Sequence, residues 1–177
     1  MLIREFILQA VRDHRLTVFR PRYADGEPAR SLLVSDEVAR LIDGPWDAET
    51  EARRAGRLRA DLEHFVNGGV ISVSMTPRRA GSAFMARLEP LGSQLWDVRS
   101  RDPSPAIRVV GAFSETDVFV ALVWAFRSSL KSNQDWQQLI QQCQGSWRAL
   151  FSTLLPHGGD DVRDYISRDA FLSGHER

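Results

Sequence analysis

The strongest strand pattern in the chain lies in residues 95–126, LWDVRSRDPSPAIRVVGAFSETDVFVALVWAF. Three runs rich in β-branched and aromatic residues are separated there by Pro103-Ser104-Pro105 and by the polar segment 114–117, which predicts three consecutive antiparallel strands. The last run, VFVALVWAF, is apolar on both faces. We therefore expect it to be a central strand with other elements packed on each side.

Shorter strands are predicted before this region. Residues 70–75, VISVSM, alternate β-branched and small polar residues, and residues 84–89, FMARLE, are expected to pair with residues 95–100. Residues 16–20 form another short candidate strand.

Apolar residues at helical spacing predict helices at both ends of the chain. They cover residues 1–13, a segment capped by Ser35, a segment capped by Asp47 and ended by Asn67-Gly68-Gly69, and a long helix that starts at Ser132. The sequence thus predicts an α+β fold in a single domain, residues 1–177. Its antiparallel β-sheet of about four to six strands would be packed with N-terminal helices and one long C-terminal helix.

Composition restricts the class of protein. The chain has 177 residues, 43% of them hydrophobic, and a formal net charge of zero, so no global field steers it to nucleic acid or membrane. Its one cysteine, Cys143, excludes an intramolecular disulfide and is expected to be a buried apolar residue. Charged residues interrupt the N-terminal segment MLIREFILQAVRDHR, so we expect no membrane segment and a cytoplasmic location.

No motif predicts a metal site or a cofactor. The four histidines, His14, His64, His157 and His175, share no ligand spacing. The glycine pair at 68–69 follows a helix instead of preceding one, which favours a helix end over a phosphate-binding loop.

The remaining signal is a basic centre. Residues 51–131 contain 12 Lys or Arg and 8 Asp or Glu, whereas residues 1–50 and 132–177 each carry a net charge of −2. Strand alternation places Asp97, Arg99 and Arg101 on one face of their strand, opposite Trp96 and Val98. Arginines gathered on one sheet face would bind phosphate groups. Ordinary surface ion pairs, such as Arg99 with Asp97, are the other interpretation.

The segments LWDVRS, AIRVVGAF and VFVALVWAFRSSLK resemble the sheet of the RelE/ParE-type toxin family, in its phage-derived, HigB-like branch. The resemblance covers about residues 48–150, with a helix before the sheet and another after it. Residues 1–47 would be an N-terminal extension, and residues 156–177 a tail.

This resemblance implies a metal-independent endoribonuclease of the toxin type that uses the RNA's own 2′-hydroxyl as nucleophile. RNA or the ribosome and an antitoxin-like protein would be its partners, and the oligomeric state is left open. The resemblance assigns catalytic roles to Arg99, Arg108 and Arg127. The RNA-binding residues would be Arg53, Arg57, Arg101 and Lys131, although the basic helix face at 53–59 also fits a simply solvated surface.

A non-catalytic bacterial or prophage accessory protein that acts through a protein–protein interface is the alternative function. Its signal is the five tryptophans, which lie in separate predicted elements: Trp46, Trp96, Trp124, Trp136 and Trp147. A contiguous exposed group of them would mark a partner surface. The apolar patterns around Trp124, Trp136 and Trp147 favour core packing instead.

Overall fold

The computed structural model describes residues 2–23, 26–77 and 81–173. Arg78 and Arg79 of the basic centre, and His175, lie outside the described residues. The described residues form a mixed α/β fold in which helices cover both faces of one sheet. The helices are α1 (Ile3–Arg12), α2 (Asp36–Asp43), α3 (Glu49–Val66), α4 (Asn133–Phe151) and α5 (Val162–Tyr165).

Eight strands form the sheet within these residues. They are β1 (Leu16–Val18), β2 (Ser31–Ser35), β3 (Ile71–Ser74), β4 (Met85–Arg87), β5 (Leu95–Ser100), β6 (Ile107–Glu115), β7 (Val118–Phe126) and β8 (Ala170–Leu172). Their order across the sheet is β1-β2-β7-β6-β5-β4-β3-β8.

The expected antiparallel sheet of four to six strands needs correction. The pairings β2–β7, β3–β4 and β3–β8 are parallel, and the other four are antiparallel. The strands β2 and β8 come from the N-terminal extension and the tail, where short apolar segments carry no clear strand period. Their pairing depends on where the chain returns in space, which local sequence does not encode.

The three strands of the 95–126 region form the antiparallel centre of the sheet, and β7 lies between β2 and β6. Helices α2, α3 and α5 cover one side, here called the α3 face, whereas α1 and α4 cover the other, the α4 face. Buried residues of β7 belong to both cores: Phe119 and Ala121 face α3, and Val120 and Val123 face α4. The prediction that this strand is covered on both sides is confirmed.

Helix boundaries follow the predicted caps with one exception. The Ser35 hydroxyl accepts a hydrogen bond from the Val38 amide at the start of α2, and Ser132 forms a capping box with Asp135 at the start of α4. Asp47 is not the cap of α3. Ala48 occupies that position, and the Asp47 amide instead donates to the Glu51 carboxylate.

The tail packs onto the body. Tyr165 and Ile166 are buried in the core of the α3 face, and β8 pairs with β3. Arg30 is 2% exposed and ties the tail in place, because its guanidinium donates to carbonyls of α3 and of the tail. The four acceptors are the backbone oxygens of Phe65, Gly69, Arg168 and Asp169. The long helix α4 is therefore not the last element of the chain.

Candidate functional site

Alternation along β5 places a charged row on the α4 face. Trp96 and Val98 lie in the core of the α3 face, so Asp97 and Arg99 project from the opposite side of the strand. This arrangement agrees with the alternation read from the sequence.

Arg99 lies directly opposite Arg108 of β6, and Asp97 contacts both guanidinium groups. The Arg99 Nε atom is 3.2 Å from both carboxylate oxygens of Asp97, and the Arg108 Nε atom is 3.5 Å from one of them. The Asp97 side chain is fully buried, which raises the pKa of its carboxyl, while the two arginines oppose that rise. The ion pair considered from sequence thus exists, but one carboxylate serves two arginines.

Of these three side chains, Arg108 has the least complete set of hydrogen-bond partners. It is 8% exposed, and its Nε and Nη1 atoms have no hydrogen-bond acceptor among the described residues. Burial is the largest cause that lowers the pKa of Arg108 to about 10; Asp97 raises it, and Arg99, Arg101 and Arg127 lower it further. A pKa of about 10 still leaves the guanidinium charged at neutral pH.

A β-bulge in β7 decides the side on which Arg127 emerges. Before the bulge, the even-numbered Val120 and Leu122 lie on the α4 face, whereas after it the odd-numbered Val123 and Ala125 do. The register shifts opposite Gly111, where a Cβ atom would collide with the Val120 carbonyl oxygen. Because the alternation changes at the bulge, Arg127 borders the same side of the sheet as Arg108.

Arg99, Arg108 and Arg127 line one groove, here called the arginine groove, between the sheet and α4. Its volume is about 1290 Å³. The α4 wall is uncharged and consists of Asn133, Trp136, Gln137, Ile140, Gln141 and Gln144. Leu88, Glu89, Pro90 and Leu91 contribute at the β4 end.

The other predicted RNA-binding residues are not brought together. Arg101 follows β5 and donates to the carbonyls of Gly81 and Ala83, and Lys131 is exposed just before α4. Arg53 and Arg57 belong to α3, on the opposite face of the sheet from the groove, where both are exposed. Arg57 also pairs with Asp61 one turn away, as expected of a solvated helix face.

The structure adds residues that the sequence interpretation missed. Gln137, Gln141 and Gln144 are spaced four and three residues apart on α4, a helical spacing that could have been recognised as a second, polar stripe beside the apolar one. Arg87 also borders the groove, but its guanidinium donates to Gln94 and lies 5.8 Å above the Tyr165 ring.

The tryptophans do not form the exposed group that a partner surface would need. Trp96 and Trp147 are buried, and Trp124 and Trp136 pack against the cores of opposite faces. Trp46 is 37% exposed and lies beyond α2. Core packing is thus confirmed for Trp147, whereas Trp124 and Trp136 are only partly buried against the two cores.

Comparison with known proteins found no matching family model, no matching characterised protein and no matching solved structure. Within the described ranges, no group of three or more His, Cys, Asp or Glu side chains could hold a metal ion. No described helix has the length and apolar character needed to cross a bilayer. Cys143 is buried, as predicted, and burial raises the pKa of its thiol to about 12.

Proposed function

We propose that the arginine groove binds the phosphate groups of RNA. The observation that carries this proposal is the convergence of three guanidinium groups, those of Arg99, Arg108 and Arg127, on one groove. Cationic groups held close together repel one another, and a phosphate group would supply both the opposing charge and hydrogen-bond acceptors.

The charge balance of the groove supports an anionic ligand. Arg99, Arg108 and Arg127 face it, and the carboxylate that compensates two of them, Asp97, has no exposed surface with which to meet a ligand. Glu89 also lines the groove, at the β4 end, which still leaves an excess of cationic groups.

The groove is large enough to admit a polymer strand as well as a small phosphate ester. Sites for drug-sized ligands enclose roughly 300–1000 Å³, and the arginine groove exceeds that range at about 1290 Å³. Among phosphate-bearing polymers we choose RNA because the strands β5 to β7 carry the resemblance to RelE/ParE-type toxins.

Endoribonuclease activity is the second part of the proposal. The RNA 2′-hydroxyl would attack the adjacent phosphorus as the bond to the 5′ oxygen breaks. The products would be a 2′,3′-cyclic phosphate and a 5′-hydroxyl, with the proton lost from the attacking oxygen replaced on the leaving one. Arg99, Arg108 and Arg127 would stabilise the charge that develops on the phosphate oxygens.

The test of binding compares two arginines that carry the same charge on opposite faces of the sheet. Arg127→Gln removes an exposed groove arginine, and Arg53→Gln removes an exposed arginine of α3. For a labelled 12-nucleotide RNA measured by fluorescence anisotropy, we expect Arg127→Gln to weaken binding about tenfold. It should also reduce the salt slope by about 0.7, the value for one phosphate contact on a single strand.

Arg53→Gln should change neither the affinity for RNA nor the salt slope appreciably. Equal losses in both variants, or binding that does not depend on salt, would overturn the proposed site. Cleavage is tested separately by searching the products for 2′,3′-cyclic phosphate ends, with a 2′-deoxy substrate as the uncleavable control. Bound RNA that stays intact would remove the nuclease part and leave the binding part.

A further inference from the structure

We infer that the α4 wall of the arginine groove recognises unpaired bases, so that the ligand is single-stranded RNA. This inference rests on the proposed function and extends it from phosphate binding to the class of RNA. It is carried by the asymmetry between the two walls of the groove.

Among the described residues of the groove, charged side chains lie on the sheet side and none lies on α4. The sheet side presents Arg99, Arg108 and Arg127, whereas the described groove residues of α4 are all uncharged. A duplex exposes phosphates on both of its strands, so a groove that encloses one should be basic on both walls. A single strand presents phosphates on one side and bases on the other, and that distribution matches the two walls found here.

The uncharged wall offers hydrogen-bonding groups at regular spacing. Gln137, Gln141 and Gln144 follow one another along α4 at intervals of four and three residues, and all three line the groove. Their side-chain amides make no hydrogen bond to any other residue in the described part of the chain. Each amide carries both donors and an acceptor, so it can pair with the edges of unpaired bases.

Trp136 supplies an aromatic surface on the same wall. Its side chain is part-buried against the core of the α4 face and borders the groove beside Gln137. An indole ring held by packing on one side can stack with a base on the other, and this interaction tolerates any base. We therefore assign Trp136 to base stacking and the glutamines to the base edges.

The experiment uses the full chain and three labelled probes of equal length: a 12-nucleotide RNA, the same RNA in a duplex, and a 12-nucleotide abasic strand. We expect the single strand to bind at least tenfold tighter than either of the other two at equal salt. Trp136→Ala should weaken binding of the single strand roughly 5- to 150-fold, as expected for the loss of one stacked base, and leave the salt slope unchanged.

Matched variants show whether a loss of RNA affinity comes from the groove or from a loss of folded protein. Trp46→Ala removes a tryptophan outside the groove and should leave RNA affinity unchanged. The double variant Gln137→Ala with Gln141→Ala changes two exposed residues and should lower affinity without lowering the melting temperature. A single-stranded DNA of the same sequence distinguishes recognition of the ribose from recognition of the bases.

Several results would overturn base recognition. Equal affinity for the single strand, duplex and abasic strand would do so, as would full affinity in Trp136→Ala and in the glutamine double variant. If Arg127→Gln still weakened binding in these cases, the proposal of phosphate binding would stand without base recognition. Polyglutamate that competes as well as RNA would indicate an acidic protein ligand, and failure of every RNA probe to bind would overturn both proposals.

Discussion

Arg99 and Arg108 face each other directly across β5 and β6, and the buried carboxylate of Asp97 contacts both. Like charges in this position repel, and burial strengthens the repulsion because the surroundings screen charge poorly. Asp97 offsets part of this cost from beneath the groove, where no ligand reaches it. Its role is thus to hold two cationic groups together on the floor of the groove.

Replacing Asp97 should destabilise the protein strongly. Asp97→Asn removes the buried charge and leaves two guanidinium groups facing each other, so we expect a loss of about 3–5 kcal/mol in the free energy of unfolding. Urea unfolding followed by circular dichroism measures it. Glu115→Gln is the control, because it breaks the exposed ion pair with Arg4 and should have a much smaller effect. Similar losses in the two variants would contradict the structural role of Asp97.

Binding of an oligonucleotide should be independent of pH from about pH 6 to 9. Arg108 has a pKa lowered to about 10, so in the folded protein its charge is retained below that value and lost as the pH rises through it. Affinity should therefore decline only as the pH approaches 10. Anisotropy with a 2′-O-methyl RNA, which resists alkaline cleavage, measures this profile at constant salt. A decline between pH 6 and 7 would instead indicate a histidine in the binding site.

Gly111 should not tolerate a side chain. Gly111→Ala would place a Cβ atom against the Val120 carbonyl at the bulge, so we expect a loss of about 3 kcal/mol in stability and weaker RNA binding as the register shifts. Gly145→Ala is the matched control, because a Cβ at that position of α4 meets no atom within 4 Å. It should stabilise the protein by about 0.5–1 kcal/mol. Thermal unfolding of both variants checks the contrast, and a neutral Gly111→Ala would contradict the bulge geometry.

Arg30 should hold the tail on the sheet. Arg30→Ala leaves the carbonyls that it joins without their charged donor, and we expect a loss of about 3 kcal/mol in stability. Limited proteolysis should then cut the tail after α5 earlier than in the unchanged protein. Arg163→Ala, which removes one exposed contact to the Ser167 carbonyl, is the control. Equal proteolysis rates in the two variants would show that Arg30 does not secure the tail.

Much of the sheet centre could be predicted from local pattern. β-Branched residues and turn segments define β5, β6 and β7, and alternation places Asp97 and Arg99 on one face because successive side chains of a strand point to opposite sides. The long helix α4 was equally predictable, since its apolar residues recur at helical spacing. These signals depend only on near neighbours in the chain.

Local pattern could not place Arg127. Continuing the alternation from Val120 puts residue 127 on the α3 face, and the bulge opposite Gly111 reverses this. The parallel strands β2 and β8 were missed for a related reason, because each is short and pairs with a strand distant in sequence.

The amino-acid pattern alone was sufficient for the central strands, for α4 and for the presence of arginines on the strands. Tertiary structure alone brought Arg99, Arg108 and Arg127 to one groove and buried Asp97 beneath them. It also placed the glutamine amides of α4 across the groove from these arginines. The physical reason is the distance along the chain between the residues whose contacts decide each feature. Secondary structure follows from contacts a few residues apart, whereas a groove depends on the register of paired strands and on which helix covers which face.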